Sequence, residues 1–326
     1  MGGSAITPQA LASAVELACR APSVHNSQPW RLTAEGGVLR VFVEPHRVPR
    51  ATDHAGREAL ISCGALLDHL RAAAAAAGWH ADVARFPNPN ALAHVATIEF
   101  HRLEIVTEAD RARADAILRR RTDRLPFTAP PSWPAFEKAL RNAIDPQDAR
   151  LDVLPEEARA ELADASRLTE ALRRYDPSYQ AELSWWTGLF ETADGVPHSA
   201  LVSAADRERV GVAREFPAGD LTGDRPDTDH SAIVALSTYD DSQPNVLGCG
   251  EALSAALLEA TMAGLATCTL THLTELDASR DILRSVIGGS GEPQLLIRVG
   301  RVAAVGEHPP MTPRRALSDV LSITPW

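Results

Sequence analysis

Between Ala21 and Arg31 the chain reads APSVHNSQPWR, which crowds Ser23, His25, Asn26, Ser27 and Gln28 together just ahead of Pro29 and Trp30. Ser, Asn and Gln offer donors and acceptors at short reach, Pro stiffens the backbone, and Trp adds a broad flat face with one N–H donor. That mixture suits a flat ligand rich in heteroatoms. It would also serve a helix-ending loop whose polar residues satisfy their own backbone. A second concentration of chemistry is RARADAILRRRTDRLPF, with Arg111, Arg113, Arg119, Arg120, Arg121 and Arg124 ahead of Pro126. Guanidinium forks pair with phosphate oxygens and the Thr122 hydroxyl adds a short donor, but a solvated basic helix end looks the same in sequence.

These residues need elements to position them. Thr7 reads as an N-cap with Pro8 at the first helical position, so a helix over Leu11 to Cys19 delivers the chain into the loop. After Trp30 a strand, a Glu35-Gly36-Gly37 turn and the run Val38 to Val43 predict a hairpin. Cys63 to Gly78 predicts a helix, and Ala81 to Phe86 and His94 to Phe100 predict strands. An internal repeat then stands out: CGALLDHLRAAAAAAGW from Cys63 aligns without gaps on CGEALSAALLEATMAGL from Cys249. Strands are expected in the second copy at Ser231 to Thr238, Thr267 to Leu273 and Pro293 to Val302. Repeats that cannot bury their own faces pack on each other, so a two-fold pair is the economical architecture. Glu156 to Asp229 has no counterpart of its length in the first copy.

The bulk numbers narrow the class. A chain of 326 residues, 45% hydrophobic and 23% charged, is that of a globular protein. Its net charge of −11 argues against nucleic acid. No apolar run is expected to span a bilayer, and the start MGGSAITPQA lacks the features of a signal peptide, so no membrane partner and a cytoplasmic location are expected. Cys19, Cys63, Cys249 and Cys268 are far apart and lack zinc spacing, which predicts buried reduced thiols and no metal. Lys138 is the single lysine, so Arg carries weight only where it clusters. No Walker A loop, HExxH or GxSxG is present.

APSVHNSQPW resembles the PSS-x-NSQPW signature of the flavin-dependent nitroreductase superfamily, and nearly the whole chain is similar to its actinobacterial, dormancy-associated members. The resemblance implies an α+β nitroreductase fold in which residues 1–110 and 111–326 form two fused halves, an intramolecular pseudo-dimer, and therefore a monomer. RRTDR resembles the family's RRSxR motif, which implies that Arg120, Arg121, Thr122 and Arg124 hold the FMN phosphate and ribityl chain. Pro313-Arg314-Arg315 resembles a KPRRPL-type tail that reaches the same phosphate, although Ala316 replaces its usual Pro. The loop, as Ser23, His25, Asn26, Gln28, Pro29, Trp30, Arg31 and Leu32, would lie against the ring. Gly264 to Leu273 resembles the strand end near flavin N5, where Thr271 and His272 replace the Glu-Gly of many relatives and His272 is either structural or a proton donor. The two motif types complete one site, implying one FMN per chain. NADH or NADPH would be a transient reductant, and nitroaromatic or quinone-type compounds the acceptors. Tyr175, Tyr179, Trp185, Trp186 and Phe190 make the insertion, about 176–229, either a lid over the flavin or a peripheral helix pair. The alternative function is an FMN-sequestering protein whose closed lid leaves little turnover.

Overall fold

Thr7 and Pro8 start the first helix as the sequence predicts: in α1 (Pro8–Ala18) the Ala10 N–H donates to Thr7 Oγ1 at 3.2 Å. The structure, a computed structural model, describes residues 5–188, 194–289, 291–302 and 311–324. β1 (Trp30–Glu35) and β2 (Val38–Val43) form the expected hairpin, with Gly36 and Gly37 at φ 59° and 82°. A two-residue turn that matches strand twist needs both residues left-handed, which glycine allows without strain. α2 (Arg57–Ala76), β3 (Trp79–Arg85), β4 (His94–Arg102) and α3 (Glu108–Arg119) follow. Next come α4 (Trp133–Ala143), β5 (Arg150–Leu154), α5 (Arg159–Arg173), α6 (Pro177–Trp186) and α7 (Ala204–Val210). The chain closes with β6 (Ala232–Thr238), α8 (Gln243–Met262), β7 (Ala266–Leu270), α9 (Asp277–Ile287), β8 (Glu292–Gly300), the single turn α10 (Leu317–Val320) and β9 (Leu321–Ile323).

Two sheets form, in the orders β3-β4-β2-β1-β9 and β5-β6-β8-β7. Strand for strand, β7-β8-β6-β5 repeats β3-β4-β2-β1, with every pair antiparallel. Both sheets shift register at the corresponding place, between Val41 and Phe42 and between Leu236 and Ser237. The insertion is thereby located: residues 155–231 connect β5 to β6, where Gly36-Gly37 alone connect β1 to β2. β9 breaks the correspondence by pairing parallel to β1. At three residues it carries too little pattern to be predicted.

The repeated helices α2 and α8 cross through their repeated glycines. A Cβ on Gly64 would lie 2.8 Å from Gly250 Cα, and one on Gly250 2.9 Å from Gly64 Cα. Each would also overlap a carbonyl oxygen of the other helix, Leu247 or Ile61, so the contact is reciprocal. The main core runs from α1 and the first sheet through α2 and α8 to Leu236, Leu295 and Ile297 of the second sheet.

Three expectations are corrected. α2 begins at Arg57 and not Cys63, because Asp53 Oδ2 accepts from Ala59 N at 2.8 Å and caps the earlier turn. β7 stops at Leu270, and His272 lies in the 3₁₀ turn His272–Thr274. α2 is also long and apolar enough to cross a membrane by length and composition, with mean hydropathy 1.2, contrary to the reading that no segment reaches that limit. Its apolar window is 78% buried inside the protein, so it is satisfied as a core helix.

Candidate functional site

A cavity of about 440 Å³, within the range of small-molecule sites, is lined by parts of the chain far apart in sequence. The loop from Arg20 to Asn26 contributes with the first turns of α2, the stretch from Arg120 to Arg124, Cys268 to His272 at the end of β7, and Thr312 and Arg314. Residues 196–218 of the insertion supply another wall, including Arg207, Arg214 and Phe216.

The loop is held in an unusual backbone. His25, Asn26 and Gln28 have φ of 48°, 54° and 49°, the left-handed region where side chains other than Asn and Asp cost energy. Its surroundings hold it there: Gln28 N donates to Ser23 Oγ at 3.0 Å, Val24 N to Ser62 Oγ at 3.2 Å, and Arg47 Nε to Ser27 O at 2.6 Å. Asn26 Nδ2 donates to Gly195 O at 2.9 Å and Pro313 O at 3.1 Å, joining the loop to the insertion and the C-terminal segment. Asn26 Oδ1 stays buried with no partner among the described residues.

Arg20, Arg120, Arg121 and Arg314 stand together in the cavity wall. Arg120 follows α3, and the backbone after it docks on β7, Asp123 N donating to Thr267 O at 3.0 Å. Arg314 donates to the carbonyls of Cys19, Arg20, Thr312 and Pro313 at 3.0–3.1 Å, and Arg120 Nη2 to that of Arg20 at 3.3 Å. None of the four pairs with a described carboxylate, and the Nε of Arg20 and of Arg120 is buried without a partner. The electrostatic consequence is a strained cluster of like charge. Burial, then Arg120 and Arg20, bring Arg314 down to about 9, and burial, then Arg20 and Arg121, bring Arg120 down to about 10. Burial also lowers Arg121 and, with Arg121 adding, Arg20.

A second part of the lining is built differently. His25 Nε2 lies 3.3 Å from Thr52 Oγ1, and its ring meets Phe216 edge-on at 5.9 Å. His272 Nε2 lies 2.9 Å from Ser166 Oγ, while Nδ1 is buried and unpartnered. Burial, reinforced by Arg214, holds both imidazoles far below their ordinary value, so they are neutral hydrogen-bonding groups. Arg214 pairs with Glu275 and donates to Tyr179 Oη at 2.9 Å and Thr271 Oγ1 at 3.1 Å.

Ser23, His25, Asn26, Arg120, Arg121, Thr122, Arg124, Thr271, His272 and Arg314 therefore share one cavity. Gln28, Pro29, Trp30, Arg31, Leu32, Pro313 and Arg315 do not line it. Trp30 and Leu32 are fully buried in the core, and Arg31 lies on the exposed side of β1 over the Phe42 ring. Gln28 Oε1 accepts from Arg315 N at 2.9 Å, and Arg315 Nη1 donates to Trp30 O at 3.1 Å, so this half of the motif ties the C-terminal segment to β1. The aromatic lid is corrected too. Trp185 is 80% and Tyr175 86% exposed, and the Trp186 ring packs near Arg47 and does not line the cavity. Phe190 lies outside the described residues. Tyr179 is buried and accepts from the cavity-lining Arg214 at 2.9 Å, and Phe216 lines the cavity itself. Arg20, Arg214 and Glu58 were missed because each is isolated in sequence and joins its cluster only in space.

No family model matches the chain. It is 55% identical over 325 residues to a Mycobacterium tuberculosis protein named "Putative NAD(P)H nitroreductase acg", covering 99% of this chain and 98% of the relative. It is 38% identical over 314 residues to another, "Putative NAD(P)H nitroreductase Rv3131", covering 94% and 89%. A solved structure described as "a putative nitroreductase from anabaena variabilis" superposes over 93% of this chain and 92% of its own with a TM-score of 0.50 at 10% identity. The fold is accordingly the α+β nitroreductase fold. With relatives this similar over almost their whole length, the chain belongs to the nitroreductase family.

Proposed function

We propose that the cavity holds one FMN and that the chain is a nitroreductase-like flavoprotein whose two halves mimic the two subunits of a dimer. The observation that carries this is the group of four guanidiniums gathered without an anion. Arg20, Arg120, Arg121 and Arg314, with the Thr122 hydroxyl, would hold the phosphate, and a dianion relieves the repulsion among them. Asn26 Oδ1 would accept from the ring system, and the neutral His25 and His272 would hydrogen-bond without adding charge. Bound there, FMN would supply hydride exchange at its N5 between NADH or NADPH and a nitroaromatic or quinone-type acceptor. The chain's part is to anchor the phosphate, fix the ring and exclude water with the segment around Phe216.

One site per chain is supported by what fills the related crevice. In the repeat, Arg85 stands where Thr271 does and Gly248 where Ser62 does. Arg85 makes a two-pronged pair with Asp148 at 2.5 and 2.9 Å, and Asp148 lies against Gly248, where a Cβ would come 2.7 Å from its Oδ1. Arg85 Nε also donates to Glu251 Oε1 at 2.8 Å, with Arg71 on the same carboxylate. These mutual pairs, with no cation left for a phosphate among them, favour a single site per chain. Purified protein should show a flavin spectrum with FMN and chain equimolar; a ratio of two, or a colourless protein that ignores added FMN, overturns the proposal.

A second reading, an FMN-sequestering protein with little turnover, is favoured by the pinning of the covering segment through Arg214. Anaerobic NADPH decides between them. Rapid bleaching of the flavin in the intact chain supports the reductase. Slow bleaching that Arg214→Ala accelerates supports the closed cover.

A further inference from the structure

Glu58 lines the cavity from the first turn of α2, is 2% exposed, and has no hydrogen-bond partner for either carboxyl oxygen among the described residues. A buried carboxyl left this way costs stability unless something outside the chain satisfies it. Its neighbours are otherwise engaged. Arg57 approaches to 3.6 Å but directs its nitrogens to Gln294 O and Oε1 and to Thr274 O and Oγ1. Arg214 is committed to Glu275, Tyr179 and Thr271, and Asp53 caps α2. Glu58, Asp53 and Glu275 therefore face only Arg57 and Arg214, with His25 neutral nearby, and the surplus carboxyl is most easily accommodated as a protonated acid. Burial, then Glu275, push the Glu58 carboxyl well up, with Asp53 adding and the two guanidiniums opposing.

The geometry points to Glu58 as a ligand-recognition group, a neutral carboxyl that donates its O–H to an acceptor atom on the flat ring system occupying the cavity. The inference rests on the flavin reading for the identity of that ring. It gives a role to an uncompensated acid in the wall of a site that also gathers four arginines: the arginines select a phosphate, and Glu58 reads the heteroatoms of the ring. Only the neutral form donates, so ring affinity is full below the raised Glu58 pKa and declines above it by about the tenfold that one buried hydrogen bond supplies.

Riboflavin is the probe, because without a phosphate it does not report on the arginine cluster. Wild type, Glu58→Gln and Glu58→Ala are titrated with riboflavin across pH, and the ligand-free thermal midpoint of each is measured. The amide of Gln keeps a donor but cannot ionise, so Glu58→Gln should hold its affinity where wild type loses it. Glu58→Ala should bind about tenfold more weakly than wild type at low pH, the loss of one buried hydrogen bond. Both variants should match or exceed the wild-type thermal midpoint, since they remove an unsatisfied buried acid. Equal affinity in Glu58→Ala and wild type, the same pH decline in Glu58→Gln, or lowered midpoints in both variants would overturn the assignment. Failure of wild type to bind FMN or riboflavin would instead sink the flavin reading, and this inference with it.

Discussion

At the scale of single residues, the loop motif divides into a half that faces the cavity and a half that builds the wall. Ser23, His25 and Asn26 line it, while Gln28 and Trp30 hold Arg315. Arg121 and Arg315 should therefore behave differently. Arg121 makes no hydrogen bond or ion pair to any described residue, so Arg121→Ala should weaken FMN by about 1.5–3 kcal/mol and leave riboflavin nearly unchanged. Arg315→Ala should weaken both flavins alike and lower the thermal midpoint, because it removes contacts to the β1 backbone; selective loss of FMN would return Arg315 to the phosphate site. The cluster also has a pH signature. In the proposed site charged guanidiniums hold the phosphate, so affinity should be full below the lowered values of Arg314 and Arg120, about 9 and about 10, and be lost as pH rises through them. FMN titrations from neutral to alkaline pH, set against riboflavin, would show this as a decline specific to FMN.

At the scale of elements, the crossing of α2 and α8 and the anchoring of the insertion are the contacts on which the site depends. Gly64→Ala or Gly250→Ala would force the two helices apart where their backbones touch. A loss of at least about 1–3 kcal/mol is expected by denaturant unfolding, and a neutral result would show that the crossing can relax. The insertion returns to the second sheet through Asp229, which accepts from Phe127 N at 2.8 Å and pairs with Arg298 at 2.6 Å and Arg159 at 3.0 Å. Removing one partner of so buried a pair leaves a charge unpaired, so Asp229→Ala should cost about 3–5 kcal/mol. Burial would raise the Asp229 carboxyl, but Arg298, with the hydrogen bonds from Ser231 and from Phe127 N, holds it below its ordinary value. Its stabilisation is therefore complete above the unfolded carboxyl pKa and is lost as pH falls through the depressed one. Thermal midpoints of wild type should drop at acid pH, and those of the variant should drop less.

At the scale of the whole molecule, the proposal that two halves mimic a dimer places the subunit-like contact within one chain, so light scattering should report a monomer; an obligate dimer would count against the fused halves. Much of this was legible in the sequence, because it rests on local rules. The Gly36-Gly37 hairpin follows from positive φ, α1 from Thr7 and Pro8, and the pairing of α2 with α8 from a repeated Cys-Gly in two small-residue helices. The Arg120 to Arg124 cluster was visible because its members are adjacent. Other features belong to tertiary structure alone. Arg20, Arg120, Arg121 and Arg314 become one cluster only when three distant segments meet, and nothing in the spacing of Arg20 announces it. Whether Arg314 or Arg315 faces the cavity depends on the path of a segment held by Gln28 and Asn26. Trp185 and Phe216 are both aromatic residues of one insertion, yet the first, on α6, faces water and the second, in the irregular stretch after α7, faces the cavity, because the packing around each position sets side-chain direction and composition does not. Sequence thus determined the repeat, the elements and the chemical types available, all of which follow from near neighbours. The fold decided which of those types converge and which are left unpartnered, since burial and the absence of a counter-charge are properties of surroundings gathered from the whole chain.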